Sequence, residues 1–199
     1  HTYAMVQTIM RDFPDYVPNT YLPYYLYPEQ VVARLDPDHT RTEEVKNGRE
    51  KRVITQCKQA ACQKSTRGLT IAKSEAHADM IVDVASSIAY NKGETFIMIT
   101  RNNNTVTNFH EDAMVETVAH VGKDGVTAVP FGEIDVFMKG LMEGQYAYEH
   151  LTVDSYFEGS YKKALQALTL NRTMVDAQKA RAVLDDLIDA NQRYWPELK

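Results

Sequence analysis

With 199 residues, of which 44% are hydrophobic and 25% charged, the chain has the composition of a globular protein that can bury a core of its own. A formal net charge of −5 and a pI near 5.7 argue against a nucleic-acid-binding surface and against a polybasic membrane patch. No apolar run reaches the ~20 residues that a membrane-spanning helix needs. The length suggests one domain, or one and a half.

The start of the chain and its two cysteines indicate what kind of protein the chain comes from. Residue 1 is His1, the first methionine is Met5, and no signal-peptide pattern is present, so we expect the chain to be part of a longer protein. Cys57 and Cys62 would lie about 140° apart around a helix, too far apart to face each other or to share a metal. We therefore expect reduced thiols in a cytoplasmic protein.

Prolines and tyrosines crowd the stretch NTYLPYYLYPEQVVARLDPDHTR, which runs from Asn19 to Arg41. Each proline removes a backbone donor and fixes its own φ, so we expect no regular helix or central strand through Tyr21–Tyr27. The tyrosines of this stretch would be presented from an irregular segment, and loops held by a rigid scaffold are where functional groups concentrate. They are Tyr21, Tyr24, Tyr25 and Tyr27.

Hydrophobic periodicity predicts helices at both ends of the chain and strands between them. The predicted helices cover residues 1–15, 29–34 after Pro28, 40–64 with a Thr40–Glu43 capping box, 75–91 with Ser74 as cap, 133–158, 160–170 and 176–194 with Asp176 as cap. The helix over 75–91 should have one buried face, formed by Met80, Ile81, Val84, Ala85, Ile88 and Ala89. The predicted strands are Glu94–Arg101, Met114–Val121 and a short run to Val129. This order predicts an α+β fold, helix-rich with a small mixed or antiparallel sheet.

Few residues stand out as candidates for chemistry. The glycines form no dinucleotide or phosphate-binding fingerprint, and no histidine combines with another histidine or a cysteine at metal-ligand spacing. The remaining candidates are Tyr21 and Arg41. A tyrosine can act as a general base when a nearby cation lowers its pKa, and an arginine can bind phosphate with its planar fork. The residue types alone also permit a packing or interface role for Tyr21 and a surface ion pair for Arg41.

Several segments resemble a known family. PNTYLPYYLYPEQVV, DPDHTR, EEVKNGREKRVI, HADMIVDVASSIAYN, FIMITRNNNTVTNF, DAMVE, FMKGLMEGQ, KALQALTLNRTMVDA and LDDLIDANQRYWPELK together resemble the C-terminal half of family 4 glycoside hydrolases, in particular the 6-phospho-α-glucosidases. The resemblance covers nearly the whole chain from Asp12 onward. It implies a fold similar to the C-terminal domain of lactate dehydrogenases and family 4 glycosidases.

The resemblance also implies an activity for the complete protein. In this family a bound NAD⁺ takes hydride from sugar C3, a base removes the acidified C2 proton, the aglycone leaves by elimination, and a divalent metal, usually Mn²⁺, acts on the C2 and C3 oxygens. The family's base falls on Tyr21 of the NTYL motif, and its substrate-binding arginine falls on Arg41 of HTR. The resemblance places the Rossmann domain, the metal ligands and the acid in an N-terminal half that is absent from this chain, so residues 1–199 would form a substrate-binding and oligomerisation domain without cofactor or metal ligands of its own.

The same resemblance implies a phosphorylated disaccharide substrate, a homodimer or homotetramer, and a place in the cytoplasm. Two departures leave the substrate subclass open: Asn104 stands where relatives often have glycine, and Thr117-Val118 replaces a Val-Pro pair. Asn tolerates left-handed φ better than other non-glycine residues, so we expect the turn to survive. Alternatives are 6-phospho-β-glucosidase specificity, a non-catalytic assembly or sugar-phosphate-binding module, and a lactate- or malate-dehydrogenase-like C-terminal domain.

Overall fold

Helices occupy both ends of the chain and a small sheet lies between them. The computed structural model describes residues 2–65, 67 and 76–199. The α-helices in these ranges are α1 (Thr2–Asp12), α2 (Pro23–Leu26), α3 (Pro28–Val32), α4 (Arg41–Glu44), α5 (Lys51–Gln63), α6 (Ala76–Tyr90), α7 (Val136–Glu158), α8 (Tyr161–Leu170) and α9 (Ala177–Asn191), and the strands are β1 (Glu94–Arg101), β2 (Met114–Gly122) and β3 (Gly125–Ala128). The predicted α+β fold is confirmed. None of the described helices is both long and apolar enough to cross a membrane.

The sheet is antiparallel throughout, with strand order β1-β2-β3. Glu94 of β1 pairs with Val121 of β2, and Arg101 pairs with Met114, so the two strands match along their whole length. Alternate residues of β2 are buried on one face, as expected for a sheet with one face against a core. Helix α6 packs on the sheet through Ser87, whose Oγ donates to the carbonyl oxygen of Val121 at 2.7 Å and accepts from the amide of Glu94 at 3.2 Å.

The prediction that the apolar face of the helix over 75–91 is buried is wrong. Met80, Ile81 and Ile88 are exposed, Ile81 by 70%, whereas the fully buried position on α6 is Ser87. Ser87, which bonds to the sheet, does not belong to the predicted apolar stripe. The predicted cap, Ser74, lies outside the described residues.

The helix predicted over 40–64 is present with one local change. Residues Val45–Glu50 form a π-helical turn between α4 and α5. Thr40 caps its start in the predicted capping box with Glu43. The two cysteines lie on α5 as exposed, free thiols, in agreement with the expectation of unpaired cysteines.

Asn102 organises the connection between β1 and β2. Its buried amide nitrogen donates to the carbonyl oxygens of Val106 and His110, each at 3.0 Å, and its Oδ1 accepts from the amide of Val106 at 2.7 Å. The two following residues, Asn103 and Asn104, adopt φ of 40° and 66°. The turn therefore exists with asparagine in the left-handed region, as expected from the tolerance of this residue for positive φ.

The chain divides into two compact units, His1–Leu35 with Ile134–Lys199, and Asp36–Glu133. In the first unit Phe13 stacks on Phe137 with ring centroids 5.4 Å apart, and Ile9 is fully buried. Helix α7 packs along α8, and α8 contacts α9. An apolar cavity of about 450 Å³ lies among these three helices and the segment after α9. This unit holds the tyrosine segment, defined here as Asn19–Tyr27.

Candidate active site

Tyr21 projects from a turn that leads into helix α2. The Oδ1 atom of Asn19 accepts hydrogen bonds from the backbone amides of Tyr21 at 2.9 Å and of Leu22 at 3.0 Å. The carbonyl oxygen of Tyr21 then accepts from the amide of Tyr24 at 3.0 Å. Asparagine side chains commonly hold turns in this way, by bonding to amides two and three residues further on. The backbone of Tyr21 is thus held on both sides, while its side chain is 69% exposed.

The expectation that the tyrosine segment is irregular throughout is wrong in one respect. Pro23 begins α2, a helix of four residues that was not predicted, whereas Pro28 begins α3 as predicted; proline at the first helical position loses no hydrogen bond and already has a helical φ. No single helix spans the segment, as predicted, since α2 ends at Leu26, two residues before Pro28. Pro23 is fully buried and fixes the segment to the unit.

Two other tyrosines of the segment hold it in place. The hydroxyl of Tyr25 donates to Oε1 of Gln145 at 3.4 Å, and the hydroxyl of Tyr27 donates to Oδ2 of Asp12 at 3.0 Å. Burial raises the pKa of Tyr25, with a further contribution from the charge of Glu149, and burial together with the bond to Asp12 raises the pKa of Tyr27. These two phenols therefore favour their protonated form, and their role is to anchor the segment that presents Tyr21.

Arg172 supplies a further anchor from a distant part of the chain. Its Nη2 atom donates to the main-chain carbonyl oxygen of Tyr25 at 3.0 Å. Arg172 also lines a cleft of about 350 Å³ together with Tyr24, Val31 and Tyr148. Neither Asn19 nor Arg172 was predicted from the sequence as a site residue. Asn19 carried a usable signal, because an asparagine a few residues before a helix-starting proline is typical of a turn.

Arg41 is the first residue of α4, directly after the Thr40 cap. The capping box holds this helix start: Oγ1 of Thr40 accepts from the amide of Glu43 at 3.3 Å, and Oε2 of Glu43 accepts from the amide of Thr40 at 3.2 Å. The guanidinium of Arg41 is exposed and pairs with Oε2 of Glu44 at 2.6 Å. The ion pair foreseen as the alternative for Arg41 is present. Such an exposed pair contributes about 0.2–1 kcal/mol.

The two predicted site residues belong to different units. Tyr21 lies in the unit His1–Leu35 with Ile134–Lys199, and Arg41 lies in the unit Asp36–Glu133. Each side chain is exposed and is presented by backbone that a neighbouring polar side chain fixes, Asn19 in one case and Thr40 in the other. The chain therefore offers a phenol and a guanidinium as two separately positioned functional groups.

A metal or a dinucleotide does not fit the residues described here. Within residues 2–65, 67 and 76–199, no group of three or more His, Cys, Asp and Glu side chains could hold a metal ion. The described sheet consists of antiparallel strands. It therefore lacks the parallel strand–helix units at which dinucleotides bind.

Comparison with known proteins identifies the family. The sequence model described as the C-terminal domain of family 4 glycosyl hydrolases matches residues 2–174. The phospho-α-glucosidase PagL of Clostridium acetobutylicum is 44% identical over 99% of this chain, and a maltose-6′-phosphate glucosidase of Bacillus subtilis is 43% identical over 99%. The chain spans about half the length of these relatives, 45% of the first and 44% of the second.

A solved structure agrees in fold over the whole chain. The crystal structure of a 6-phospho-α-glucosidase from gut microorganisms, in complex with NAD and Mn²⁺, is 47% identical and superposes with a TM-score of 0.91. The match covers 100% of this chain and 45% of that one. The resemblance stated from the sequence motifs is confirmed: this chain belongs to the family 4 glycosyl hydrolase C-terminal domain.

Proposed function

We propose that this chain is the C-terminal, substrate-binding and oligomerisation domain of a longer 6-phospho-α-glucosidase that depends on NAD and a divalent metal. The observation that carries the proposal is the 47% identity and TM-score of 0.91 over the whole chain with a 6-phospho-α-glucosidase bound to NAD and Mn²⁺. The relatives from Clostridium acetobutylicum and Bacillus subtilis also bear names of phospho-α-glucosidases. This agreement favours the α-linked substrate class over the β-linked one.

In this proposal Tyr21 removes the C2 proton of the sugar. The proton passes from C2 to the phenolate oxygen, which requires a phenol that is reachable by substrate and held in a fixed place. The exposed ring of Tyr21 on its anchored turn meets both requirements. A cation near the phenol would favour the phenolate.

Arg41 binds the phosphorylated substrate in the same proposal. A guanidinium donates two parallel hydrogen bonds to a phosphate, and the 6-phosphate is the group that distinguishes these substrates from ordinary glucosides. Arg41 stands at the start of a capped helix, with its side chain 68% exposed. The substrate is a phosphorylated disaccharide, the enzyme acts in the cytoplasm, and the chain assembles as a homodimer or homotetramer.

The test uses the complete protein with NAD⁺, Mn²⁺ and the α- and β-anomers of p-nitrophenyl 6-phosphoglucoside. We expect turnover of the α-anomer to exceed that of the β-anomer. Tyr21→Phe should lower kcat by about 10²- to 10⁴-fold, the range of a general base, with an unchanged circular dichroism spectrum. Tyr24→Phe, in the same segment, is the matched control and should stay within threefold of wild type. Wild-type turnover by Tyr21→Phe would contradict the assignment of the base and favour a non-catalytic module.

A further inference from the structure

The amide side chain of Asn19 determines the backbone path at Tyr21. One oxygen atom, Oδ1, accepts from two consecutive amides, those of Tyr21 and Leu22, at 2.9 and 3.0 Å. Two bonds converging on one atom fix the orientation of the peptide planes on both sides of the Tyr21 Cα. The direction of the Cα–Cβ bond of Tyr21 follows from those planes.

The orientation of the Tyr21 side chain depends strongly on how its backbone is held. Because Tyr21 is 69% exposed in this chain, packing against other residues of the chain contributes little to the placement of its ring. By contrast, Tyr25 and Tyr27 hold their rings through hydroxyl bonds to Gln145 and Asp12. A phenol that must meet a carbon-bound proton is sensitive to position, since a displacement of about 1 Å can cost about 10²-fold in rate.

We propose that Asn19 is a positioning residue for proton transfer by Tyr21. The inference rests on the proposed function, in which the phenolate oxygen of Tyr21 takes the proton from sugar C2. Asn19 does not touch the substrate in this role. It holds the turn from which the base projects, and it lowers the number of orientations that the phenol samples before the reaction.

Because the turn is exposed, a positioning role of Asn19 can be distinguished from a contribution of Asn19 to stability. When Asn19 is replaced by alanine, water can bond to the amides of Tyr21 and Leu22, so neither amide remains without an acceptor. Water does not fix the geometry of the turn. Loss of the side chain should therefore change orientation and rate much more than the melting temperature.

The experiment compares three variants of the complete protein, Asn19→Ala, Asn19→Ser and Asp176→Ala. Serine keeps an uncharged oxygen that can accept from the amide two residues on. Asp176 is the matched control, because its Oδ1 accepts from the amide of Lys179 at 2.9 Å at the start of α9. For each variant kcat, KM and the isotope effect of 2-deuterated substrate are measured. Hydrogen exchange of the peptide that covers residues 19–27 gives a readout independent of turnover.

For Asn19→Ala we expect kcat to fall about 10- to 100-fold with KM within threefold, and the isotope effect on kcat to rise, since removal of the C2 proton becomes slower. Amide exchange over residues 19–27 should accelerate. Asn19→Ser should restore kcat to within about fivefold of wild type, and Asp176→Ala should change neither the isotope effect nor exchange in this peptide.

The inference is overturned if Asn19→Ala keeps wild-type kcat. It is also overturned if kcat falls only in proportion to the folded fraction while the isotope effect stays constant, because a structural role alone would do that. Failure of the proposed function would give a different result, since full activity of Tyr21→Phe would show that Tyr21 is not the base. An inactive Tyr21→Phe beside a fully active Asn19→Ala would overturn only the role of Asn19.

Discussion

The guanidinium of Arg172 donates to the main-chain carbonyl oxygen of Tyr25 at 3.0 Å, although 147 residues separate the two in the sequence. This bond ties the segment after α8 to the middle of the tyrosine segment. Together with the Asn19 turn and buried Pro23, it holds the segment at several points on either side of Tyr21.

Replacing Arg172 by methionine should loosen the tyrosine segment. Methionine keeps an apolar stem of similar reach and removes the donors to the Tyr25 carbonyl. We expect the free energy of unfolding to fall by about 1 kcal/mol, the usual net contribution of one hydrogen bond. We also expect faster amide exchange over residues 19–27. Urea unfolding and hydrogen exchange measure the two effects. Arg193→Met, at an exposed arginine near the end of the chain, serves as control; equal effects of both substitutions would contradict a specific role for Arg172.

The turn after β1 offers a test of backbone strain. Asn104 adopts a φ of 66°, a conformation that glycine reaches without cost and alanine reaches only at a cost of about 1–2 kcal/mol. Asn104→Gly should therefore leave stability nearly unchanged, and Asn104→Ala should lower the free energy of unfolding by about 1 kcal/mol. Thermal unfolding of both variants measures the difference. At a position with ordinary φ the order is reversed, so an alanine variant more stable than the glycine variant would contradict the conformation of this turn.

Asp135 links the N-terminus of α7 to Tyr16 and should make stability dependent on pH. Its Oδ1 accepts from the amides of Phe137 and Met138 and from the hydroxyl of Tyr16. The bond from the Met138 amide is the largest cause that lowers the pKa of Asp135 from 3.8, and burial opposes it. A carboxyl group whose pKa is lower in the folded than in the unfolded state stabilises the fold at pH values above its unfolded pKa. This contribution is lost as the pH falls through the folded pKa.

Asp135→Asn tests this dependence, because asparagine keeps the accepting oxygen but does not titrate. The difference in free energy of unfolding between wild type and Asp135→Asn should be constant above about pH 5 and should shrink as pH falls below about 4. Urea unfolding at a series of pH values measures it. Asp12 and Asp154 also have lowered pKa values and titrate in both proteins, so only the difference between the two curves reports on Asp135. Parallel curves would contradict the prediction.

Local signals in the sequence predicted most elements well. Strand β1 begins and ends at the predicted residues, Glu94 and Arg101, and the caps Thr40 and Asp176 are present because a side chain and an amide three residues away decide them. Burial of α6 could not be predicted in this way. Periodicity shows which residues share a face, and Met80 and Ile81 do share the apolar one, but it does not show which face meets the sheet.

The candidate site shows the same difference between features that local sequence predicts and contacts that form only on folding. Tyr21 and Arg41 were singled out from their residue types, and the family resemblance assigned each a role that stays a prediction. For Asn19 the sequence offered only the signal of a turn, and the bonds from its side-chain oxygen to two amides exist only in the folded chain. Arg172 could not be found at all, since its bond to Tyr25 exists only once the chain has folded.

Arg41→Ala in the complete protein should mainly weaken substrate binding. Loss of a charged hydrogen-bond donor to phosphate costs about 1.5–3 kcal/mol, which corresponds to a rise in KM of about 10- to 140-fold. We expect kcat to change less than KM, the opposite of the pattern for Tyr21→Phe. Steady-state kinetics on the p-nitrophenyl 6-phospho-α-glucoside measure both. Arg34→Ala, at an exposed arginine of the same stretch, should leave KM unchanged. An unchanged KM in Arg41→Ala would show that another residue binds the substrate at this point.

If Arg41 binds the substrate as proposed, Glu44 would compete with the substrate for it, and Glu44→Gln should then have the reverse effect on KM. Its Oε2 lies 2.6 Å from Nη1 of Arg41, and both side chains are exposed. An exposed ion pair contributes about 0.2–1 kcal/mol, so removing the carboxylate charge should lower KM by about 1.4- to 5-fold and leave kcat unchanged. The effect should shrink at high salt, where exposed charges are screened. Glu43→Gln is the control, since Glu43 caps the same helix start through its accepting oxygen and glutamine retains such an oxygen. If Glu44→Gln raises KM instead, then Glu44 orients Arg41 for the substrate and does not compete with it.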